Sequence, residues 1–193
     1  MLVPTSDGLG TWRMRRIVRN MFPLLVVLSI IVLWAGITLE SAEENLARFA
    51  LLAVMVPPMI DMGGNLGAIL SSRLTSRFHL GMSVTDPLDR ILWANVAAIV
   101  ALAATIFSAL AVGAYVIGVV LGIPLAFSDL LVISLVSGMA VAVVAVIFSF
   151  AATYASYRLG IDPDDTTIPI VTNAVDVIGM VVFIGVAGVV LGF

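Results

Sequence analysis

The sequence predicts an all-α integral membrane protein that crosses the bilayer five times per protomer. Three observations lead to this fold class. Hydrophobic residues make up 62% of the 193 residues and charged residues only 11%, whereas soluble domains carry about 25% charged residues. Five apolar runs are each long enough for a membrane helix, which needs about 20 residues. The arginines cluster in the segments that a five-span arrangement places on one side of the membrane.

The first predicted span, residues 21–39, follows a basic segment. Its apolar run is longer than the core of a signal peptide, which is about 7–15 residues, so we predict that it remains in the protein as a membrane helix. The chain is divided accordingly into a cytoplasmic basic segment at residues 1–20 and a transmembrane domain at residues 21–193.

The remaining four spans are delimited by charged residues and helix breakers. Arg90 precedes the third span and Gly122-Ile123-Pro124 follows it, whereas Pro169 takes an early helical position in the fifth. The predicted ranges of these spans are 47–74, 91–121, 130–157 and 167–192.

The arginine distribution predicts the orientation of the protein. With five spans, eight of the nine arginines fall on one side of the bilayer, and only Arg48 falls on the other, beside the acidic segment 40–44. Short arginine-rich loops stay in the cytoplasm. We therefore predict a multi-pass protein of the cell membrane with a cytoplasmic N-terminus and an extracytoplasmic C-terminus. A six-span alternative would put Arg158 on the wrong side.

The composition limits the chemistry available to the chain. There is no cysteine, so disulfides and thiolate metal sites are excluded, and the single His79 cannot build a histidine-rich site. The net charge of −3 gives no indication of a nucleic-acid partner. The available ligands are oxygens of carboxylates, amides, hydroxyls and backbone carbonyls, which suit hard divalent cations such as Mg²⁺.

A polar stripe runs along the fifth span around Asp176, where an uncompensated charge in lipid is costly. Residues at three- and four-residue spacing share its helix face, namely Pro169, Thr172, Asn173, Gly179 and Met180. The other faces are apolar. The stripe indicates a bundle interior or a pore, and the alternative is that Asp176 only hydrogen-bonds to a neighbouring helix.

A second intramembrane carboxylate, Asp61, lies in an irregular part of the second span. Two prolines and three glycines there disfavour a regular helix, and an interrupted membrane helix can offer backbone carbonyls to cations. The alternative is a kinked helix with small residues at a helix contact. The residues on the face of Asp61 are Gly64, Asn65, Ala68 and Ser72.

Other polar residues have plainer interpretations. Small and hydroxyl side chains at four-residue multiples on the fourth span predict a close-packing face, and Asn95 predicts an interhelical hydrogen bond. The loop aspartates are interpreted as solvated residues and helix caps. The alternative is a cytoplasmic acidic vestibule that concentrates cations; its candidates are Asp162 and Asp165.

Both motifs that contain intramembrane aspartates resemble the MgtE-type magnesium transporter family. The family's second span is similar to the run Pro57-Pro58-Met59-Ile60-Asp61-Met62-Gly63-Gly64-Asn65-Leu66-Gly67, followed by Ser72-Arg73-Leu74. The entry and body of its fifth span are similar to Asp162-Pro163, then Pro169, Thr172, Asp176 and Gly179. The animal solute carriers for magnesium share both motifs in duplicated form.

This resemblance implies a dimeric pore through which partly hydrated Mg²⁺ moves down its electrochemical gradient, with Mn²⁺, Co²⁺ and Ca²⁺ as alternatives. Asp176 matches the family's pore aspartate, and further expected ligands are Thr172, Asn173 and Gly179. The pore-lining positions implied are Gly63, Gly64, Asn65 and Pro169. The resemblance assigns no role to Asp61, which is retained as a candidate ligand. The regulatory domains that bacterial members carry before the first span are not expected, because only about twenty residues precede it.

Two other functions are compatible with the same residues. The chain could be an ion-coupled secondary transporter that uses Asp61 or Asp176 as a proton or sodium site. It could also be a non-conducting partner of a larger membrane complex. If it does form a pore, its partner could be a second, similar chain instead of another copy. An enzyme is not expected, because the Gly-x-Gly-Asp and Tyr-Asp motifs of intramembrane aspartyl proteases are missing.

Overall fold

The computed structural model describes residues 14–82 and 88–193, except for the side chains of residues 14–17, 20, 164 and 165. These ranges form six helices and contain no strand: α1 (Met14–Ser41), α2 (Glu43–Arg48), α3 (Ala50–His79), α4 (Arg90–Leu121), α5 (Phe127–Arg158) and α6 (Pro163–Leu191). All except α2 contain a stretch long and apolar enough to cross a membrane. The prediction of a helical chain with five such helices is confirmed.

Short connections make consecutive long helices antiparallel, so charged groups collect at two ends of the bundle. We call one end the arginine end, because it contains Arg73, Arg77, Arg90 and Arg158. We call the other the acidic end, because it contains Glu40, Glu43, Glu44 and Asp129. The orientation inferred from loop charges stays a prediction, since the helices alone do not define which end faces the cytoplasm.

The short helix α2 at the acidic end was not predicted. Glu43 and Glu44 lie in its first turn and Arg48 in its last turn, which is the arrangement that the helix dipole favours. Its six residues show no helical spacing of apolar side chains, so the sequence alone does not distinguish this helix from a loop.

The interior of the bundle lies between α3, α5 and α6, with α4 packed against α3 and α5. The small-residue face of α5 is fully buried, and Ser149 contributes to this contact. Its Oγ accepts a hydrogen bond from Ser71 Oγ at 3.0 Å and donates to the carbonyl of Gly67 at 3.3 Å. The predicted close-packing face is confirmed; its members are Ser137, Ala145, Ser149 and Thr153.

The structure decides between the two interpretations of the second span, in favour of a helix whose small residues lie at helix contacts. Helix α3 is continuous from Ala50 to His79 and includes both prolines. Its glycines bring neighbouring helices close instead of breaking α3: a Cβ on Gly63 would lie 2.6 Å from Val141 of α5, and one on Gly67 would lie 2.7 Å from Val171 of α6. Small residues at four-residue spacing are typical of such close helix contacts, and packed neighbours tolerate proline in a membrane helix.

Two polar contacts join α3 to α4 at the arginine end. Buried Arg77 forms an ion pair with Asp89, and Arg73 donates a 2.8 Å hydrogen bond to the Asn95 side chain. The interhelical hydrogen bond predicted for Asn95 is confirmed. Asp89 also caps α4, because its Oδ1 accepts from the backbone N–H groups of Ile91 and Leu92 at 2.8 and 3.2 Å.

These contacts make the stability of the protein depend on pH through Asp89. The N–H of Leu92 lowers the pKa of Asp89, and the N–H of Ile91 and the Arg77 guanidinium lower it further, against the opposite effect of partial burial. A lowered folded-state pKa stabilises the protein above the ordinary carboxyl pKa, and this contribution is lost as the pH falls through the lowered value.

We therefore expect Asp89→Ala to lower the Tm in detergent at neutral pH more than Asp89→Asn does. Asparagine keeps the helix cap and loses only the charge that pairs with Arg77, whereas alanine loses both. Acidification through the lowered pKa of Asp89 should bring wild type closer to Asp89→Asn. Equal Tm values for wild type and Asp89→Asn at neutral pH would show that the ion pair adds no stability.

Candidate cation site

The two intramembrane aspartates lie in the middle part of the bundle. At 1.5 Å per residue, Asp61 is about 16 Å along α3 from Ala50, and Asp176 is about 22 Å along α6 from Leu191. Both reference residues lie at the acidic end, so the aspartates differ in depth by roughly one helical turn. A carboxylate at this depth is stable only when it faces protein, water or a cation.

A glycine of α3 lies directly against Asp176. A Cβ built on Gly64 would be 2.7 Å from Oδ1 of Asp176 and 3.6 Å from its carboxyl carbon. Any residue larger than glycine at position 64 would therefore push the carboxylate away. The absence of a side chain at this position is what lets Asp176 enter the contact between α3 and α6.

The buried oxygen of Asp176 lacks a hydrogen-bond donor. Its Oδ1 is inaccessible to solvent, and no donor among the described residues reaches it. Leaving a buried acceptor unsatisfied costs about 1–3 kcal/mol, and more when the group is charged. A bound cation would compensate both the charge and the missing partner, so this oxygen fits the role of a cation ligand.

Asp61 and Asn65 lie one turn apart on a side of α3 that is exposed in the single chain. Nδ2 of Asn65 donates to Oδ2 of Asp61 at 3.1 Å, which leaves the amide oxygen of Asn65 free to accept. Asp61 lies about one helical turn of α3 before Gly64, the residue that lies against Asp176, so the two carboxylates belong to the same part of the bundle. We call Asp61, Asn65 and Asp176 the acidic patch.

Thr172 and Asn173 lie on α6 one turn before Asp176, and both are half-buried. Each side chain uses a donor within the helix: Thr172 Oγ1 donates to the carbonyl of Ile168 at 3.0 Å, and Asn173 Nδ2 donates to that of Pro169 at 2.8 Å. Both side chains keep oxygen lone pairs, the type of group that a hard cation prefers.

Some residues predicted for the site lie elsewhere. Gly63 and Gly179 both face Val141 of α5, which a Cβ on either glycine would approach to 2.6 and 3.1 Å, so they serve helix packing behind the acidic patch. Asp162 is exposed at the arginine end, where its Oδ1 lies 3.6 Å from Nε2 of His79. Asp165 was also predicted for the acidic vestibule, and its side chain lies outside the described part of the chain.

One chain supplies few ligands of its own. Within residues 14–82 and 88–193, no three His, Asp or Glu side chains form a group that could hold a metal ion. The acidic patch has two carboxylates, and Mg²⁺ is commonly bound by one or two carboxylates together with retained water.

Comparison with protein families decides the class of this protein. Residues 56–186 match the family model MgtE, described as a divalent cation transporter. The match covers more than half of the chain. The chain belongs to the MgtE divalent cation transporter family. Both sequence motifs lie inside the matched region, whereas α1 and α2 lie before it. A comparison with curated proteins finds none that matches the chain.

Membership of the MgtE family confirms the resemblance drawn from the two motifs. Together with the five apolar helices, it identifies a multi-pass membrane protein of a transporter family. The acidic patch therefore lies within a domain whose family moves divalent cations, and it contains the intramembrane carboxylates Asp61 and Asp176.

Proposed function

We propose that two copies of this chain form a pore for a hard divalent cation, with Mg²⁺ as the first candidate, and that α3 and α6 line it. The observation that carries the proposal is the unpartnered Oδ1 of Asp176, which lies against Gly64 within the membrane-spanning part of the bundle, about one helical turn from Asp61 on α3. A buried anionic oxygen without a hydrogen-bond donor can bind a cation that passes through a pore, because the cation supplies the missing partner.

A second copy is proposed because the acidic patch is open on one side. Asp61 and Asn65 are exposed in the single chain, and lipid would leave a carboxylate and an amide unsatisfied at that depth. A twofold axis beside α3 and α6 would place two acidic patches opposite each other. Four carboxylates would then surround the path, and a partner with a similar sequence would produce the same arrangement in a heterodimer.

The ligand chemistry supports Mg²⁺ over softer metals. The patch offers oxygen from Asp61, Asn65 and Asp176, with further oxygens on Thr172 and Asn173. Mg²⁺ loses its water reluctantly, so a wide pore lined by a few oxygens would hold the ion through its hydration shell. Mn²⁺, Co²⁺ and Ca²⁺ also accept oxygen ligands and are the ions to compare.

We expect the arginine end in the cytoplasm and the acidic end outside the cell. The direction of passive transport does not depend on this orientation and is set by the electrochemical gradient across the membrane. The membrane potential, negative inside, favours inward movement by about 2.3 kcal/mol per charge for each 100 mV. A divalent cation therefore needs no second ion to be driven into the cell.

Flux through purified protein in liposomes tests this proposal. We expect Mg²⁺ influx under a membrane potential alone, with Mn²⁺, Co²⁺ and Ca²⁺ measured in parallel and protein-free liposomes as the control. The nearby carboxylates Asp61 and Asp176 favour one other function, an ion-coupled carrier. Flux that requires an imposed proton or sodium gradient would establish that function, and no flux of any of the four ions from dimeric protein would contradict both.

A further inference from the structure

A groove of about 550 Å³ opens at the acidic end between α1, α2 and α3. Its walls are almost entirely apolar, and two carboxylates provide its polar part. The residues that line it include Gly36 and Glu40 of α1, Glu43 and Leu46 of α2, and Ala50 and Ala53 of α3.

The groove exists because α1 does not pack against α3. Within the described ranges, α1 contacts α6 and α2, and it is attached through a few buried residues such as Leu28 and Ala35. Small residues line the groove, among them Gly36, Ala50 and Ala53, and a Cβ on Gly36 would meet no atom within 4 Å. An apolar groove of this size at the end of the membrane spans favours an apolar occupant over water.

We propose that the groove binds one acyl chain of a phospholipid whose primary-amine headgroup lies against Glu40 and Glu43. Both carboxylates are exposed, and the two ion pairs found among the described residues involve neither of them. An ammonium group would give them charge-assisted hydrogen bonds. The described residues of the acidic end include four carboxylates and only Arg48 as a cation, so an anionic headgroup would be repelled.

Other occupants fit this groove less well. If a twofold axis passed through it, Glu40 and Glu43 of one copy would face the same residues of the other copy and repel them. A cation would find carbon on nearly all of the lining and only two carboxylates near the rim. The lipid matches both features, because it is apolar along its chain and positive at its headgroup amine. Its binding does not depend on the proposed cation transport.

Lipid retention by two leucine variants tests the proposal. Gly36→Leu places a side chain in the groove, and Gly113→Leu is the matched control, because a Cβ at either position meets no atom within 4 Å. Protein from vesicles with equal phosphatidylethanolamine and phosphatidylglycerol would be washed in detergent and analysed by native mass spectrometry. We expect wild type and Gly113→Leu to retain phosphatidylethanolamine, and Gly36→Leu to lose it.

A second variant tests the headgroup contact without filling the groove. Glu40→Gln/Glu43→Gln alters exposed side chains only, so it should fold normally, and we expect it to lose about fivefold in preference for phosphatidylethanolamine over phosphatidylglycerol. Three results would overturn the proposal: unchanged lipid retention in Gly36→Leu, a shift of its monomer–dimer balance that identifies a second copy as the occupant, or reduced cation flux in the glutamine variant with unchanged lipid preference.

Discussion

Replacing Asp176 with alanine is expected to reduce divalent cation flux by at least about 100-fold, because it would remove a ligand from the proposed path. The variant should still insert and associate, since the substitution removes a buried unpartnered oxygen and puts a smaller side chain next to Gly64. Flux in liposomes, measured at equal protein content and with a cross-linking assay for the dimer, gives the result.

Two conservative variants separate charge from shape in this experiment. Asp176→Asn keeps the volume of the side chain and loses its charge, so it should lose nearly as much flux as alanine. Asp61→Asn should lose less, about tenfold, because Asp61 is exposed and its carboxylate already accepts from Asn65. Wild-type flux in Asp176→Ala would remove this residue from the path and with it the proposed pore.

The five membrane helices were predictable because the rule behind them is local. A long apolar run has few stable forms in lipid other than a helix, and this rule needs no knowledge of neighbouring segments. The polar stripe around Asp176 was predictable for the same reason, since helical spacing alone places Thr172, Asn173 and Asp176 near one another on α6.

The contact between Gly64 and Asp176 could not be predicted in this way. Periodicity assigns each residue to a face of its own helix, but it does not say which residue on another helix lies opposite at the same depth. Gly179 shows the consequence: its spacing from Asp176 placed it on the polar stripe, whereas the structure turns it toward Val141 of α5. Residues at three- and four-residue spacing span an arc wide enough to touch two neighbouring helices.

Helix propensity alone could not decide between an interrupted and a continuous α3. Glycine and proline are poor helix formers in water, but the glycines of α3 gain close contacts with Val141, Val171 and Asp176 that no single-helix scale includes. The groove beside α1 could not be predicted from the sequence either. It exists because the described parts of α1 and α3 do not contact each other.

A second large effect is expected from a substitution at position 64, which would move the Asp176 carboxylate without removing it. Gly64→Ala should reduce cation flux by at least about tenfold although both aspartates remain, because the new Cβ would lie 2.7 Å from Oδ1 of Asp176 and force the carboxylate to move. Flux in liposomes and Tm in detergent would be measured on the same preparations.

Gly67→Ala is the matched control for that variant. It introduces the same methyl group one turn along α3 at the same distance, 2.7 Å, but the atom it meets is Cγ1 of Val171. Both variants overpack the contact between α3 and α6, at a cost of about 1–3 kcal/mol each, so their Tm values should fall together. Only Gly64→Ala displaces a charged oxygen, and only its flux should collapse. An equal loss of flux in Gly67→Ala would mean that helix spacing, and not the position of the Asp176 carboxylate, controls transport.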